Sequence, residues 1–94
     1  YTAAKHGVLG LTRALALEYA DRGICVNAIE TGWLEDAAGA GPNSEVNPLV
    51  RYIPMKRLGT ADDLAPLAVY LASDASAFVT GQVFSVAGGI MSHL

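Results

Sequence analysis

Residues 1–30, YTAAKHGVLGLTRALALEYADRGICVNAIE, decide the fold. The first twenty predict a helix, because Val8, Leu11, Leu15 and Tyr19 recur at spacings of three and four and form one stripe. Leu9 and Leu17 lie off that stripe. The helix is therefore apolar around more than half its girth, the pattern of a helix packed on two sides. Gly7 and Gly10 lower its propensity but permit close approach of another backbone. Gly23 is placed to terminate it. The run ICVNAIE, residues 24–30, follows at once and is β-branched and nearly continuous in apolar character, as in a strand covered on both faces. Thr31-Gly32 ends that strand.

Working outward, residues 35–50, EDAAGAGPNSEVNPLV, have no firm period and read as a loop with room for a short helix near its end. RLGTADDLAPLAVYLAS, residues 57–73, then starts a second helix. Thr60 is the expected N-cap, Asp62 and Asp63 sit at its positive end, and Leu64, Leu67, Ala68 and Leu71 make its apolar face. Pro66 removes one helical hydrogen bond. VTGQVFSVAGG, residues 79–89, reads as a turn and a second strand. The order helix, strand, loop, helix, strand implies a parallel strand pair. Two parallel strands leave an edge open. The fold class is therefore α/β, and residues 1–94 read as the C-terminal half of a doubly wound, Rossmann-like parallel sheet.

Composition limits the function classes. Ninety-four residues suit one small domain. A hydrophobic share of 52%, a charged share of 16% and a mean hydropathy of +0.34 exclude a disordered chain. So apolar a short chain is expected to meet another chain or another segment, and a homo-oligomer, dimer or tetramer, is the natural partner. Net charge is −3 and the six Lys and Arg are scattered, which argues against nucleic acid. No apolar run is long enough to predict a membrane span. A single cysteine, Cys25, implies no internal disulfide framework and suits a reducing, cytoplasmic compartment. No signal-peptide layout is visible, and position 1 is not Met, so processing or truncation of a longer chain is expected.

Tyr1 and Lys5 are one helical turn apart on one face. A phenol ordinarily titrates near pH 10, and a neighbouring ammonium stabilises the phenolate, which is what proton transfer near neutrality needs. The spacing also arises by chance on helices, so the pair by itself decides little. It is not alone. Residues 1–32, then IPMKRLGTADDLA at 53–65 and YLASDASAFVTGQVFSVAGG at 70–89, resemble in order and spacing the second half of the short-chain dehydrogenase/reductase family. The resemblance spares only residues 35–50.

That resemblance implies roles. Tyr1 matches the residue that exchanges the proton at the substrate oxygen. Lys5 matches the residue that binds the nicotinamide ribose and assists the tyrosine. Both touch the cofactor, NAD or NADP. Gly32 matches the glycine of the family's Pro-Gly turn, Leu34 stands where a main-chain contact to the nicotinamide amide is usual, and the loop after Leu34 matches the substrate lid. The implied substrate is a small-molecule carbonyl or alcohol. The sequence departs from the family at Thr31, usually Pro, at Asp36, usually Thr, and at Ala87, usually Asp. Glu30, Glu35 and Asp36 set carboxylates near an anionic dinucleotide. The family's Gly-rich phosphate turn, its ribose-selecting acidic residue and its catalytic Ser and Asn have no counterpart in residues 1–94.

Other residues have plainer readings. Cys25 reads as a small buried hydrophobe, and Trp33 as packing at the turn or stacking on substrate. His6 and His93 lack metal-ligand spacing, so no metal is expected. Ser92-His93-Leu94 is close to a peroxisomal address but reads equally as ordinary sequence. Two expectations follow. The residues are part of a dehydrogenase and are inactive by themselves, or they are a non-catalytic assembly piece of the same fold.

Overall fold

A computed structural model describes residues 1–35 and 48–90. The proposed lid, Asp36, His93 and the Ser92-His93-Leu94 reading lie outside the described residues. The elements are α1 (Thr2–Tyr19), β1 (Ala28–Thr31), α2 (Ala61–Leu71) and β2 (Val83–Val86), with 3-10 turns at Ala20–Arg22, Pro48–Tyr52 and Asp74–Ser76. β1 and β2 form a two-stranded sheet. The Ala28 N–H donates to the Gln82 carbonyl and the Gly32 N–H to the Val86 carbonyl, both at 2.9 Å. Donors and acceptors advance together along both strands, so the pair is parallel, as the element order requires. The chain divides into two units, Tyr1–Ile29 with Leu67–Phe84, and Glu30–Pro66 with Ser85–Leu94.

In the first unit α1 ends as expected, with Gly23 in the left-handed region at φ 73°. Its buried line is not the predicted stripe. Thr12 and Ala16 are buried, Leu9, Leu15 and Tyr19 are half-buried, and Val8, Leu11 and Leu17 are exposed. Small residues let backbones approach: a Cβ added at Gly81 would lie 3.4 Å from the Ala16 Cβ. The Thr12 hydroxyl is satisfied by the Val8 carbonyl at 2.8 Å, which makes its burial tolerable.

The strand begins later than the β-branched run suggests. Over residues 24–27 side chains replace part of the ladder. The Val26 N–H donates to Thr80 Oγ1 at 3.0 Å, Asn27 Nδ2 donates to the Val79 carbonyl at 3.0 Å, and Asn27 Oδ1 accepts from the Gln82 N–H at 3.1 Å. Cys25 is exposed, with Sγ 3.6 Å from the Ala77 carbonyl, so the buried-hydrophobe reading is corrected. The cause is local: residues 24–25 precede the paired strand.

The second unit has Ile53 and Leu58 as its buried apolar residues. The segment leading into α2 carries Gly59, which forms a parallel bridge with Leu34. The N-cap reading of Thr60 is correct in place but different in chemistry. Asp63 Oδ2 accepts from the Thr60 N–H at 2.8 Å and from its hydroxyl at 3.2 Å, so the acidic residue in the first turn reaches back to the capping position. Along α2, Leu64, Leu67 and Leu71 are half-buried and Ala68 is exposed. Pro66 lies within the helix as expected.

Candidate active site

Tyr1 is the residue before α1, and its carbonyl accepts the Lys5 N–H at 2.9 Å, which closes the first helical turn. Its side chain is 99% exposed, while Lys5 is half-buried. Both belong to the first unit.

Gly32 and Leu34 belong to the second unit. Gly32 follows β1 directly, and Leu34 follows Trp33 on the segment bridged to Gly59. The Gly59 N–H donates to the Trp33 carbonyl at 2.9 Å, and the Glu35 N–H donates to the Gly59 carbonyl at 2.8 Å. In a parallel bridge those two bonds flank the paired residue, so the N–H and C=O of Leu34 itself point away from Gly59. They offer one donor and one acceptor side by side on an edge. Glu30 is buried at 8% exposure in β1, and Glu35 is half-buried.

The same unit carries a cleft of about 520 Å³. Trp33, Leu34, Ile53, Met55 and Ile90 give it apolar walls, and Arg57 and Asp63 are its charged groups. Met55 and Trp33 are 68% and 43% exposed, so large apolar surface stands open to whatever enters. Mainly apolar walls with few polar groups are the usual makeup of a small-molecule site. The Arg57 guanidinium binds Asp63 through two parallel hydrogen bonds, Nη1 to Oδ2 at 2.7 Å and Nη2 to Oδ1 at 2.9 Å. The hydrogen bond to Asp63 raises the Arg57 pKa. Reciprocally, the guanidinium first, and the Thr60 N–H second, hold the Asp63 carboxyl well below the usual carboxylate range.

Sequence reasoning names Tyr1, Lys5, Gly32 and Leu34 as site candidates; it singles out neither the Arg57–Asp63 pair nor Ile53 and Met55 as cleft walls. The signal for the pair was present only as a basic residue six positions before an acid at a helix start. That spacing matches neither the helical nor the strand period. Trp33 resolves to the cleft wall.

Comparison with known proteins places these features in context. A family model described as enoyl-(acyl carrier protein) reductase matches residues 1–91. The chain is 44% identical over 95 aligned residues to an uncharacterised short-chain type dehydrogenase/reductase of Sinorhizobium fredii, covering 99% of this chain and 38% of that protein. It is 42% identical to a cyclohexanol dehydrogenase of an Acinetobacter species, covering 98% of this chain and 36% of that one. Among solved structures, the NADPH-bound short-chain oxidoreductase of Pseudomonas aeruginosa, with an atypical catalytic centre, superposes with a TM-score of 0.85 at 35% identity. It covers 98% of this chain and 38% of that structure. The chain therefore spans little more than a third of the length of the relatives it matches.

Proposed function

The chain belongs to the short-chain dehydrogenase/reductase family, and on that premise we propose that it is the C-terminal part of an NAD(P)-dependent oxidoreductase acting on a carbonyl or alcohol. Its α/β architecture is the corresponding part of a Rossmann-like fold. The observation that carries the proposal is that Tyr1 and Lys5 lie four residues apart at the start of α1, where a family match begins that continues to residue 91.

The residues fit a nicotinamide. A carboxamide needs one donor and one acceptor, and the main chain of Leu34 offers both on the edge turned from Gly59. Bound NAD(P) supplies or accepts the hydride. Tyr1 gives a proton to the substrate oxygen in reduction and takes it back in oxidation. Lys5 holds the nicotinamide ribose and stabilises negative charge developing on the phenol oxygen. Gly32 and Leu34 orient the nicotinamide amide, and the cleft beside Leu34 offers apolar walls to that end of the cofactor. The exposed free thiol of Cys25 suits a reducing compartment, and a cytoplasmic location goes with this reading. No helix of the described residues is long and apolar enough to cross a membrane.

The test is label transfer by the full-length protein that contains these residues. With deuterated NADH or NADPH and a panel of small ketones and 3-oxoacyl thioesters, deuterium should arrive at the carbinol carbon of at least one product. Tight cofactor binding without label transfer to any carbonyl would defeat the proposal.

One observation favours self-association alongside this activity. Val8, Leu11 and Leu17 of α1 are 58%, 59% and 83% exposed, a larger apolar surface than a solvent-facing helix carries. A homo-oligomer through α1 covers it, and the same contact would serve an assembly that does no chemistry.

A further inference from the structure

We propose that Arg57 and Asp63 are positioning residues for the cofactor: by fixing Gly59 they set the register in which the Leu34 main chain meets the nicotinamide amide. The proposal rests on the cofactor reading of Leu34 given above.

The connection starts in a side-chain ion pair and passes into main chain on both sides of Gly59. The Arg57 guanidinium spans both oxygens of Asp63 and also donates from Nη1 to the Leu58 carbonyl at 3.1 Å. Asp63 Oδ2 takes the Thr60 N–H and hydroxyl. Leu58 and Thr60, the two neighbours of Gly59, are therefore both tied to the same ion pair. Leu58 is in addition buried, at 1% exposure, so its side chain is packed as well as its carbonyl bonded. Gly59 in turn holds Trp33 through its N–H and Glu35 through its C=O. The contact is close: a Cβ at Gly59 would come within 2.6 Å of Leu34 Cδ2. Leu34 is thus clamped on both sides while its own N–H and C=O face away, free of the bridge.

Helix capping accounts for the Asp63 bond to the Thr60 N–H, which is half of a capping box. It does not account for the arginine outside the helix, which locks that carboxylate and also holds the Leu58 carbonyl. The side chains of Arg57 and Asp63 are 40% and 28% exposed. Pairs this accessible add little to global stability. What a bidentate fork does add is a fixed geometry, because a planar guanidinium admits one orientation of the carboxylate. The geometry is passed to the one backbone segment that the cofactor reading assigns to nicotinamide.

The experiment uses the full-length protein. In Arg57→Ala the dissociation constants of NADH and NADPH, read by fluorescence titration, should rise about tenfold, the scale of one weakened hydrogen bond. Turnover at saturating cofactor should fall less than affinity does, which separates lost cofactor positioning from lost proton transfer. Arg57→Lys keeps the charge and loses the fork, so it should bind the cofactor with intermediate affinity. Asp63→Ala should weaken cofactor binding at least as much as Arg57→Ala, because it releases the Thr60 N–H as well as the guanidinium. If Arg57→Ala fails to fold, Arg57→Lys carries the test. Unchanged cofactor affinity in a folded Arg57 variant overturns the proposal, as does a fall in turnover with affinity unaltered. If the unmodified protein binds neither dinucleotide, the cofactor reading falls and takes this inference with it. Normal wild-type binding with indifferent variants removes the inference alone.

Discussion

Tyr1 is almost wholly exposed, so replacing it removes little packing in this chain. That makes Tyr1→Phe an informative change in the full-length protein. It deletes the transferable proton and leaves the ring. Turnover should fall by roughly 10²–10⁴-fold, the range of a lost general acid–base. Cofactor affinity should hardly move. Lys5→Ala should weaken both, because that side chain is assigned to the ribose and to the phenol oxygen. Near-normal turnover in Tyr1→Phe removes Tyr1 from the mechanism. Gly32 is constrained differently. A Cβ there would lie 2.8 Å from the Ala87 Cα and 3.0 Å from its Cβ, so the ends of β1 and β2 approach too closely for a side chain. The obstacle is backbone and cannot rotate away. Gly32→Ala should destabilise the protein by about 1–3 kcal/mol, as overpacking does. A shift of the urea midpoint to lower concentration measures it, and an unchanged midpoint would show that the strand ends can part.

At the scale of elements, the start of α2 has a definite pH signature. The folded state holds the Asp63 carboxyl below its ordinary range through Arg57 and the Thr60 N–H. Folding therefore favours the ionised form. The stability this adds is fully present above the unfolded carboxylate pKa, about 4. It fades as pH falls through the lower folded value. The melting temperature of Asp63→Asn should lie slightly below that of the unmodified protein at pH 7, since the pair is accessible, and the gap should close as the pH drops below about 4. A gap that stays constant down to pH 2 would deny Asp63 this role. The elements also differ in how far the sequence reveals them. α1 is legible because periodicity and the Gly23 stop agree, and α2 because Thr60 and two acids mark its start. β1 is displaced from its apparent run because the Asn27 and Thr80 side chains bond the stretch before it, which propensity does not encode. The Tyr1–Lys5 pair is local and so is visible. The Arg57–Asp63–Gly59–Leu34 connection crosses segments distant in sequence, and nothing periodic announces it.

For the whole chain the deciding quantity is how little it covers. Among the described residues, Ala16, Ile53 and Leu58 are the buried hydrophobics. Val8, Leu11, Leu17, Val69 and Phe78 of the first unit, and Trp33, Tyr52 and Met55 of the second, stand exposed. Apolar area left in water contributes nothing to folding, at about 25 cal/mol per Å² forgone. Residues 1–94 expressed by themselves should therefore associate or bind a hydrophobic dye such as ANS, not behave as a rigid monomer. They should also fail to bind a dinucleotide. The pyrophosphate of NAD(P) needs a Gly-rich turn between a strand and a helix, where N–H groups and the helix dipole meet the negative charge. Ala87-Gly88-Gly89 does follow a strand, but no helix succeeds it among the described residues. The helix that follows β1 in the described order, α2, opens on Asp62 and Asp63, which repel phosphate. On the proposed reading Leu34 meets only the nicotinamide end, and one amide contact is too small a share of the binding energy to be seen at micromolar concentration. Light scattering and titration with NADH and NADPH on the isolated 94 residues test both statements. A well-folded monomer that binds either dinucleotide saturably at micromolar concentration would show that this part of the fold carries a phosphate site of its own.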